Sequence, residues 1–307
     1  MIELRLRSKI PQEELEAKVG KLLDPRDFGV VLTQAAKVLR PDGKPLCIYL
    51  PGAIPKELRD SVYPTLHELR KFESHNRGNA SGYRRVAPKH GGEKAGTRTS
   101  TSDTVSSAII GAFDPAGAKQ YCRLTAWTGS EAEKFESLQP LFQHIGALYQ
   151  QYVPDRYAIQ MEVVNRTQAE WVIHDTPFTT VTVNNSYPTG VHQDSGDLPE
   201  GFSNVTCLRR GKYTGGMLTF PEYGVSVDLQ DGDTLLMDAH DWHGNTVMTC
   251  GVCGERIAHT HEECGSERIS IVCYYRTKMR ECGTYDEEYA KAMEFADKST
   301  ERGKRLG

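Results

Sequence analysis

Three side chains in the middle of the chain have the types and spacing of a metal site. His192 and Asp194 are separated by one residue, so on an extended strand both side chains point to the same face. A second histidine, His243, follows 49 residues after Asp194. Two histidines and one carboxylate leave three positions of an octahedral metal open, which is the ligand set of non-haem Fe(II) oxygenases. The ordered set therefore predicts an iron site formed by His192, Asp194 and His243.

A positively charged side chain that could bind a co-substrate, Arg268, follows 25 residues after His243. The run from Arg268 to Arg276 alternates as a β-strand does, so Arg268, Ser270 and Tyr274 share one face with Arg276. The Arg268 guanidinium can hold a carboxylate through two hydrogen bonds, and the Ser270 hydroxyl can add another. These residues predict an anchor for the distal carboxylate of a 2-oxo acid that is bound to the iron.

The elements that must position these residues are predicted from periodicity. Short β-rich runs alternate with turns between residues 170 and 276, and Asp231-Gly232 predicts a hairpin between the two runs beside it. Residues 104–155 show a helical pattern, with one face formed by Leu141, Ile145, Leu148 and Tyr152. Many short strands with helices on their N-terminal side predict an α+β fold around a barrel or jelly roll.

Composition divides the chain into three predicted parts. Residues 1–103 form a mixed α/β extension, residues 104–282 form the core, and residues 283–307 form a charged helix and tail. The extension contains a glycine-rich loop at 70–98 with eight Lys or Arg residues against two acidic residues. Such a loop is suited to follow a phosphate backbone, and the predicted DNA contacts are Arg77, Arg84, Arg85 and Lys89. The alternative is a solvated surface loop.

The overall composition limits the class of protein. The chain has 307 residues, of which 25% are charged, and its net charge is −4. This net charge excludes a strongly basic protein that coats nucleic acid over its whole surface. No apolar run is long enough to span a bilayer, and residues 1–7 lack the apolar region of a secretory signal. The eight cysteines lack the dense spacing of small, disulfide-rich secreted domains, so we expect reduced thiols. We therefore expect a soluble protein of the cytoplasm of a bacterium or phage-infected cell, or of a eukaryotic nucleus.

Six segments between residues 107 and 282 resemble the oxygenase domain of the TET/JBP family, which oxidises the 5-methyl group of pyrimidines in nucleic acid. They are Tyr121–Trp127, His192–Asp197, Tyr213–Pro221, Asp233–Asp238, Trp242–Thr246 and Arg268–Arg276. The chain looks nearer to the JBP-like branch, with its microbial and phage relatives, than to the animal TET enzymes.

The resemblance implies a double-stranded β-helix that binds Fe(II) and converts 2-oxoglutarate to succinate. It assigns His192, Asp194 and His243 to the metal, and Arg268 to the co-substrate. It also favours His243 over His240 as the second histidine, because Trp242-His243-x-Asn245 matches the family motif. A methyl group inside a duplex cannot reach a buried metal, so the implied substrate base is flipped out of the DNA.

The choice of base is predicted from Asp197, which stands where the animal TET enzymes have an asparagine that touches the base. A carboxylate can accept a hydrogen bond from the exocyclic amine of cytosine and repels O4 of thymine, so Asp197 favours 5-methylcytosine. The alternative is a turn cap beside Gly196. Tyr274 and Arg276 are predicted to contact the flipped nucleotide; the alternative is a core tyrosine and a surface arginine.

A second metal site is weighed in the segment between His243 and Arg268. Its cysteines and histidines have spacing that resembles a tetrahedral zinc site, with candidate ligands Cys250, Cys253, His259, His261 and Cys264. The segment lacks a second Cys-x2-Cys pair, so reduced loop cysteines are the alternative.

The leading functional hypothesis is an enzyme that hydroxylates 5-methylcytosine in DNA, with dioxygen and 2-oxoglutarate as co-substrates. The same chemistry on thymine in DNA is the first alternative. A hydroxylase of a protein or small molecule is the second, because the metal ligands do not name the substrate. A nucleic-acid-binding module without activity is disfavoured by the intact ligand set. The extent of oxidation and the oligomeric state stay open.

Overall fold

The computed structural model of the chain describes residues 1–74, 80, 84–85, 98–99, 105–257 and 263–306. Side-chain positions are described for these residues except 73–74, 84–85, 98–99 and 299–306.

Helices are concentrated in the middle of the chain. The α-helices are α1 (Gln12–Lys18), α2 (Lys56–Glu68), α3 (Ala126–Ser130), α4 (Ala132–Ser137), α5 (Gln139–Tyr152), α6 (Pro154–Val164) and α7 (Tyr285–Leu306). Short 3-10 helices lie at Pro25–Asp27, Leu69–Lys71, Ala169–Trp171 and Thr277–Glu281. Within the described residues, none of the helices combines the length and apolar character needed to cross a bilayer.

Strands occupy most of the remaining chain. They are β1 (Ile2–Arg5), β2 (Val30–Leu32), β3 (Ala36–Leu39), β4 (Pro45–Leu50), β5 (Glu73–Ser74), β6 (Arg84–Arg85), β7 (Arg98–Thr99), β8 (Val105–Phe113), β9 (Arg123–Leu124), β10 (Thr180–Asn185), β11 (Ser203–Arg210), β12 (Tyr213–Gly215), β13 (Leu218–Phe220), β14 (Val225–Val227), β15 (Thr234–Met237), β16 (Gly244–Asn245), β17 (Met248–Cys250) and β18 (Glu267–Tyr274).

These strands form one large sheet and several small ones. The large sheet has ten strands in the order β1-β3-β4-β15-β11-β18-β10-β8-β5, with β9 paired to β8. A four-stranded sheet has the order β16-β13-β14-β2, and two further pairs are β12-β17 and β6-β7. The predicted combination of helices with a strand-rich core is confirmed.

The chain forms two compact units. The first contains Met1–Ala108, Val183–Ser195 and Val205–Ile271, and the second contains Ile109–Thr182, Gly196–Asn204 and Val272–Gly307. The division of the sequence at residues 103 and 282 stays a prediction. Strands β1, β3 and β4, which precede residue 103, are part of the large sheet.

In the first unit, β4 shows why a short apolar run becomes a strand. Its sequence is bounded by Pro45 and Pro51, and from Leu46 to Leu50 every residue is buried. It pairs antiparallel with β3 on one side and β15 on the other, so both faces and both edges are covered. A central strand of this kind has a continuous apolar sequence rather than an alternating one.

In the second unit, α5 buries an apolar face that differs in part from the predicted one. Leu141 and Ile145 are fully buried as predicted, but the next buried position is Tyr149, while Leu148 and Tyr152 are only partly buried. Tyr149 stacks on Phe202 with a centroid separation of 6.2 Å. Leu141, Ile145 and Tyr149 therefore form the buried face of α5, and the contact with Phe202 accounts for the burial of Tyr149.

Two sequence predictions about local structure are wrong. Residues 105–113 form strand β8 rather than the start of a helical region, because a strand buried on both faces shows no period-two alternation. Asp231-Gly232 forms a turn, but the strands beside it do not pair as a hairpin. β14 pairs with β13 and β2, whereas β15 pairs with β4 and β11, so this turn connects two different sheets.

The expectation that all eight cysteines are reduced is also wrong for one pair. Cys122 and Cys282 form a disulfide in the second unit, with a Cα–Cα distance of 5.9 Å and a sequence separation of 160 residues. The other six cysteines are free. Residues this far apart in sequence give no spacing signal, so the pairing follows only from the folded structure.

This pairing predicts a defined thiol count. Denatured protein treated with chelator and a thiol reagent should expose six reactive thiols before reduction and eight after it. A Cys122→Ser/Cys282→Ser double variant serves as the control, since its count should be six in both conditions. Eight reactive thiols in the unreduced wild-type protein would contradict the disulfide.

Candidate metal centre and co-substrate site

The two predicted histidine ligands lie opposite each other on neighbouring stretches of backbone in the first unit. The N–H of His192 donates to the carbonyl oxygen of His243 at 2.9 Å, and the N–H of His243 donates to the carbonyl oxygen of His192 at 3.0 Å. This is an isolated antiparallel bridge of the hydrogen-bonded type. Directly opposed residues place their side chains on the same face, and the ring centroids are 4.3 Å apart.

Each imidazole is oriented by a backbone carbonyl two residues before it. His192 Nδ1 lies 2.8 Å from the oxygen of Gly190, and His243 Nδ1 lies 2.9 Å from the oxygen of Asp241. Because a carbonyl oxygen can only accept, each Nδ1 carries the proton and each Nε2 keeps a lone pair. Metal-binding histidines are oriented in this way in other proteins.

Asp194 completes a group of three ligand atoms. Its Oδ1 lies 3.4 Å from His192 Nε2, and its Oδ2 lies 3.9 Å from His243 Nε2. One ligand atom from each of the three residues lies within 4.8 Å of the others. Adjacent ligands of an octahedral metal with bonds of about 2.1 Å are about 3 Å apart, so small side-chain rotations would suffice. Two imidazole nitrogens and one carboxylate oxygen fit Fe(II).

Burial keeps His243 neutral, whereas the carboxylate of Asp194 is accessible. The desolvation of His243, together with the neighbouring His192 ring, lowers the pKa of His243 to about 4. The side chain of Asp194 is 35% exposed, compared with 12% for His192 and 7% for His243. The group is therefore open on the side of Asp194, where further ligands could bind.

The loop before His243 is held by a buried ionic network. Arg40 Nη1 donates to Asp241 Oδ2 at 2.7 Å and to Asp238 Oδ2 at 3.2 Å. His240 Nδ1 lies 3.1 Å from Asp238 Oδ1, and His240 is not one of the three grouped ligands. Asp241 supplies the carbonyl that orients His243, so Arg40 acts on the ligand through one intermediate residue.

The N-terminal segment packs directly on the histidine-bearing backbone. The N–H groups of Gly20 and Leu23 donate to Val191 and Asn245 oxygens, both at 2.9 Å. An ideal Cβ at Gly190 would lie 2.5 Å from the carbonyl carbon of Gly20, so only glycine permits this approach. The first residues of the chain therefore brace both strands of the His192–His243 bridge.

Asn245 connects the histidine strand to the segment beside Arg268. Its Oδ1 accepts hydrogen bonds from the Thr189 N–H at 3.0 Å and the Thr189 hydroxyl at 2.8 Å. Its Nδ2 donates to the oxygen of Gly216 at 3.1 Å. Gly216 has φ +70°, and an ideal Cβ there would lie 3.3 Å from Arg268 Cδ. One amide side chain thus fixes two parts of the site relative to each other.

Arg268 is a buried cation whose guanidinium contacts a hydroxyl rather than a carboxylate within the described part of the chain. It is 4% exposed, and its guanidinium donates to the hydroxyl of Ser270. Among the residues that the structure describes, no carboxylate forms an ion pair with Arg268. A buried charge needs a partner of opposite sign, so this guanidinium is suited to bind a carboxylate from a small molecule. The predicted roles of Arg268 and Ser270 fit this arrangement.

The residues predicted to contact the base belong to the second unit. Asp197 is buried, and its Oδ2 accepts a hydrogen bond from the Ser203 hydroxyl at 2.7 Å. Arg276 Nε donates to Asp114 Oδ1 at 2.7 Å, and the Tyr274 hydroxyl lies 3.0 Å from the Thr182 hydroxyl. Asp197, Tyr274 and Arg276 are thus held by protein contacts, and their roles toward a nucleotide stay predictions.

The structure describes only some of the residues that are predicted to contact DNA or to bind zinc. Arg77, Lys89, His259 and His261 lie outside the described residues. Arg84 and Arg85 form β6, which pairs antiparallel with β7, and their side chains are not among those described. Three of the predicted zinc ligands come together, and these are Cys250, Cys253 and Cys264.

Some residues of the site have little or no signal in the sequence. Arg40 is 201 residues from Asp241, so nothing in the sequence connects the two. Asn245 and Gly216 lie inside the segments that carry the family resemblance, so the sequence contained a signal that these two residues contribute to the site. Their contacts explain why a glycine and an amide are needed there.

Comparison with known proteins identifies the family. The sequence profile of Tet_JBP, described as the oxygenase domain of the 2OGFeDO superfamily, matches residues 113–277. The chain belongs to the Tet_JBP family. The resemblance predicted from the six segments is confirmed, and membership of this oxygenase superfamily implies Fe(II) and 2-oxoglutarate as cofactor and co-substrate.

This member of the Tet_JBP family is similar in sequence to known proteins. It is 30% identical over 196 residues to thymine dioxygenase JBP1 of Leishmania infantum, and 32% identical over 198 residues to that of Trypanosoma brucei brucei. Each match covers 63% of this chain and 22% of the relative, so the chain spans about a fifth of the length of these relatives.

The structural comparison concerns the fold. A structure described as NgTET1 in complex with 5mC DNA matches with a TM-score of 0.54 and 13% identity, over 90% of this chain and 95% of that chain. Identity this low shows the fold alone. The predicted α+β fold with a double-stranded β-helix core is confirmed.

The geometry predicts that metal binding and co-substrate binding can be separated. His243→Ala should weaken Fe(II) binding by more than about 100-fold, because it removes one of three ligands. Arg268→Met should leave Fe(II) binding unchanged and weaken 2-oxoglutarate binding by roughly 100-fold, because it removes charge-assisted hydrogen bonds. Anaerobic calorimetry with Fe(II), followed by 2-oxoglutarate, measures both affinities.

Arg59→Met provides the matched control for the arginine variant. Arg59 is partly buried in the same unit, but its guanidinium pairs with Asp231. This variant should bind both ligands as the wild type does. Unchanged 2-oxoglutarate affinity in Arg268→Met would show that Arg268 is not the anchor.

Proposed function

We propose that this protein is an Fe(II)- and 2-oxoglutarate-dependent dioxygenase that hydroxylates the 5-methyl group of 5-methylcytosine in DNA. The observation that supports this most strongly is the co-occurrence in one unit of three converging metal ligands and a buried arginine, Arg268, that forms no ion pair with any described residue. Family membership supports the reaction class independently of these contacts.

The chain's own residues prepare the site for this reaction. His192 and His243 present unprotonated Nε2 atoms, and Asp194 adds a negative charge on the accessible side. Arg268 and Ser270 hold the distal carboxylate of 2-oxoglutarate, so that its 2-oxo acid end can reach the metal. Fe(II) held by His192, Asp194 and His243 would supply, with 2-oxoglutarate and dioxygen, the oxidation of a methyl C–H to an alcohol, with release of succinate and carbon dioxide.

Asp197 supports cytosine as the base. The Ser203 hydroxyl donates a hydrogen bond to Oδ2 of Asp197 and so fixes the orientation of this side chain. A fixed carboxylate accepts a hydrogen bond from the exocyclic amine of a flipped cytosine, and thymine has no amine at that position. Flipping the base out of the duplex is required, since the histidines are almost fully buried.

DNA as the carrier of the base is supported by charge. The segment at 70–98 has a net charge of +6 in a chain whose total is −4. We infer that Arg77, Arg84, Arg85 and Lys89 contact phosphates beside the flipped nucleotide. Such contacts carry no sequence information, so they fit an enzyme that selects a modified base rather than a long recognition site.

Thymine in DNA is the second candidate substrate. It is favoured by the relatives from Leishmania infantum and Trypanosoma brucei brucei, which are named thymine dioxygenases. Thymine carries the same 5-methyl group, so the metal site and Arg268 would act in the same way. The two candidates differ at the edge of the base, where Asp197 is proposed to act.

A nucleoside assay tests the proposed function. The protein is incubated with Fe(II), 2-oxoglutarate, ascorbate and duplex DNA that contains both 5-methylcytosine and thymine, and the digested nucleosides are measured by mass spectrometry. We expect hydroxymethylcytosine, and at least about a 100-fold loss of it in His192→Ala. His174→Ala is the matched control, because His174 is exposed and lies outside the metal ligand group.

Each other outcome has a distinct meaning. Oxidised thymine with unchanged 5-methylcytosine would contradict the role of Asp197 and support the second candidate. Succinate formed without any oxidised base would contradict DNA as the substrate. Hydroxymethylcytosine that persists in His192→Ala would contradict the metal site itself.

A further inference from the structure

A second group of metal-binding side chains lies between His243 and Arg268 and shares no residue with the histidine site. The sulfur atoms of Cys250, Cys253 and Cys264 lie within 4.8 Å of one another. None of the three is part of the Cys122–Cys282 disulfide. A tetrahedral zinc ion with Zn–S bonds of about 2.3 Å holds its sulfurs about 3.8 Å apart. Small side-chain rotations would therefore let all three thiols bind one ion.

The backbone of the Cys250–Gly254 turn brings the first two thiols together. Cys250 is the last residue of β17 and pairs with Tyr213 of β12. The Gly254 N–H donates to the oxygen of Cys250 at 3.0 Å, which closes a tight turn around Cys253. Gly254 has φ +77°, and an ideal Cβ there would meet nothing within 4 Å. Glycine is thus required by the left-handed backbone and not by lack of space.

The same turn directs a hydrogen-bond donor at the first sulfur. The Val252 N–H donates to Cys250 Sγ at 3.4 Å. A hydrogen bond to sulfur stabilises the thiolate, which is the form in which cysteine binds a metal.

Cys264 approaches from the other end of the connection between β17 and β18. Gly265, with φ +63°, follows it and turns the chain into β18. The Ser266 hydroxyl donates to the oxygen of Lys212 at 2.8 Å and lies 3.6 Å from Cys250 Sγ. The three thiols therefore join the end of β17 to the residues just before β18, which carries Arg268.

We propose that Cys250, Cys253 and Cys264 bind a structural zinc ion that fixes the connection from β17 to β18. Thiolates select zinc, whereas the two imidazoles and one carboxylate of the histidine site suit Fe(II). Among the residues described on either side of this connection, Tyr213, Met248, Cys250 and Ile257 form a small apolar cluster, and Cys264 packs against it. The zinc ion adds a cross-link between the two ends of the connection. The fourth coordination position of the zinc ion is open to water or another donor.

Co(II) substitution tests the zinc site separately from the histidine site. The full chain is prepared as the His192→Ala variant, dialysed, analysed for zinc, and then titrated with Co(II) after removal of the zinc. We expect about one zinc ion per chain and a thiolate-to-cobalt absorption band in the near ultraviolet, which only cysteine ligands can produce. Adding Cys253→Ser should remove the zinc and most of this band.

The variants are chosen so that misfolding does not hide the result. Cys253 is exposed and should tolerate serine, which circular dichroism checks. Cys47→Ala in the same background is the control, because Cys47 is a free, buried cysteine outside the group. It should keep both the zinc and the band. Absence of zinc and of the band in folded His192→Ala protein, or an unchanged band after Cys253→Ser, would overturn the proposal.

Discussion

The reciprocal backbone hydrogen bonds between His192 and His243 are the interaction on which the site depends. They place two residues from distant parts of the chain directly opposite each other, with both rings on one face. Each ring then donates from Nδ1 to the carbonyl two residues before it, so Nε2 is the atom of each ring that can bind a metal. Without the bridge, the two histidines would not be held opposite each other.

Most of the surrounding structure serves to keep this bridge in place. The N-terminal segment hydrogen-bonds to the backbone on both sides of it, and Gly190 permits the close approach of Gly20. Arg40 forms hydrogen bonds to both carboxylates of the loop before His243. Asn245 ties the same strand to the glycine segment that lies against Arg268. The N-terminal residues are thus part of the support of the site.

The sequence predicts those features that depend on local spacing. His192 and Asp194 share a face because they are two residues apart on extended chain, and Arg268 and Ser270 do so for the same reason. Features that depend on remote partners were missed: Arg40 acts across 201 residues, and the Cys122–Cys282 disulfide spans 160. Strand β8 was mistaken for helix because burial on both faces removes its alternation.

The most direct test of this account is the position of the metal and co-substrate in a crystal. Mn(II), which replaces Fe(II) but is stable in air, is bound with 2-oxoglutarate and located by its anomalous scattering. We predict one ion bonded to His192 Nε2, His243 Nε2 and the Asp194 carboxylate, with the distal carboxylate of 2-oxoglutarate on Arg268 and Ser270. An ion bound elsewhere, or a co-substrate that does not contact Arg268, would contradict the account.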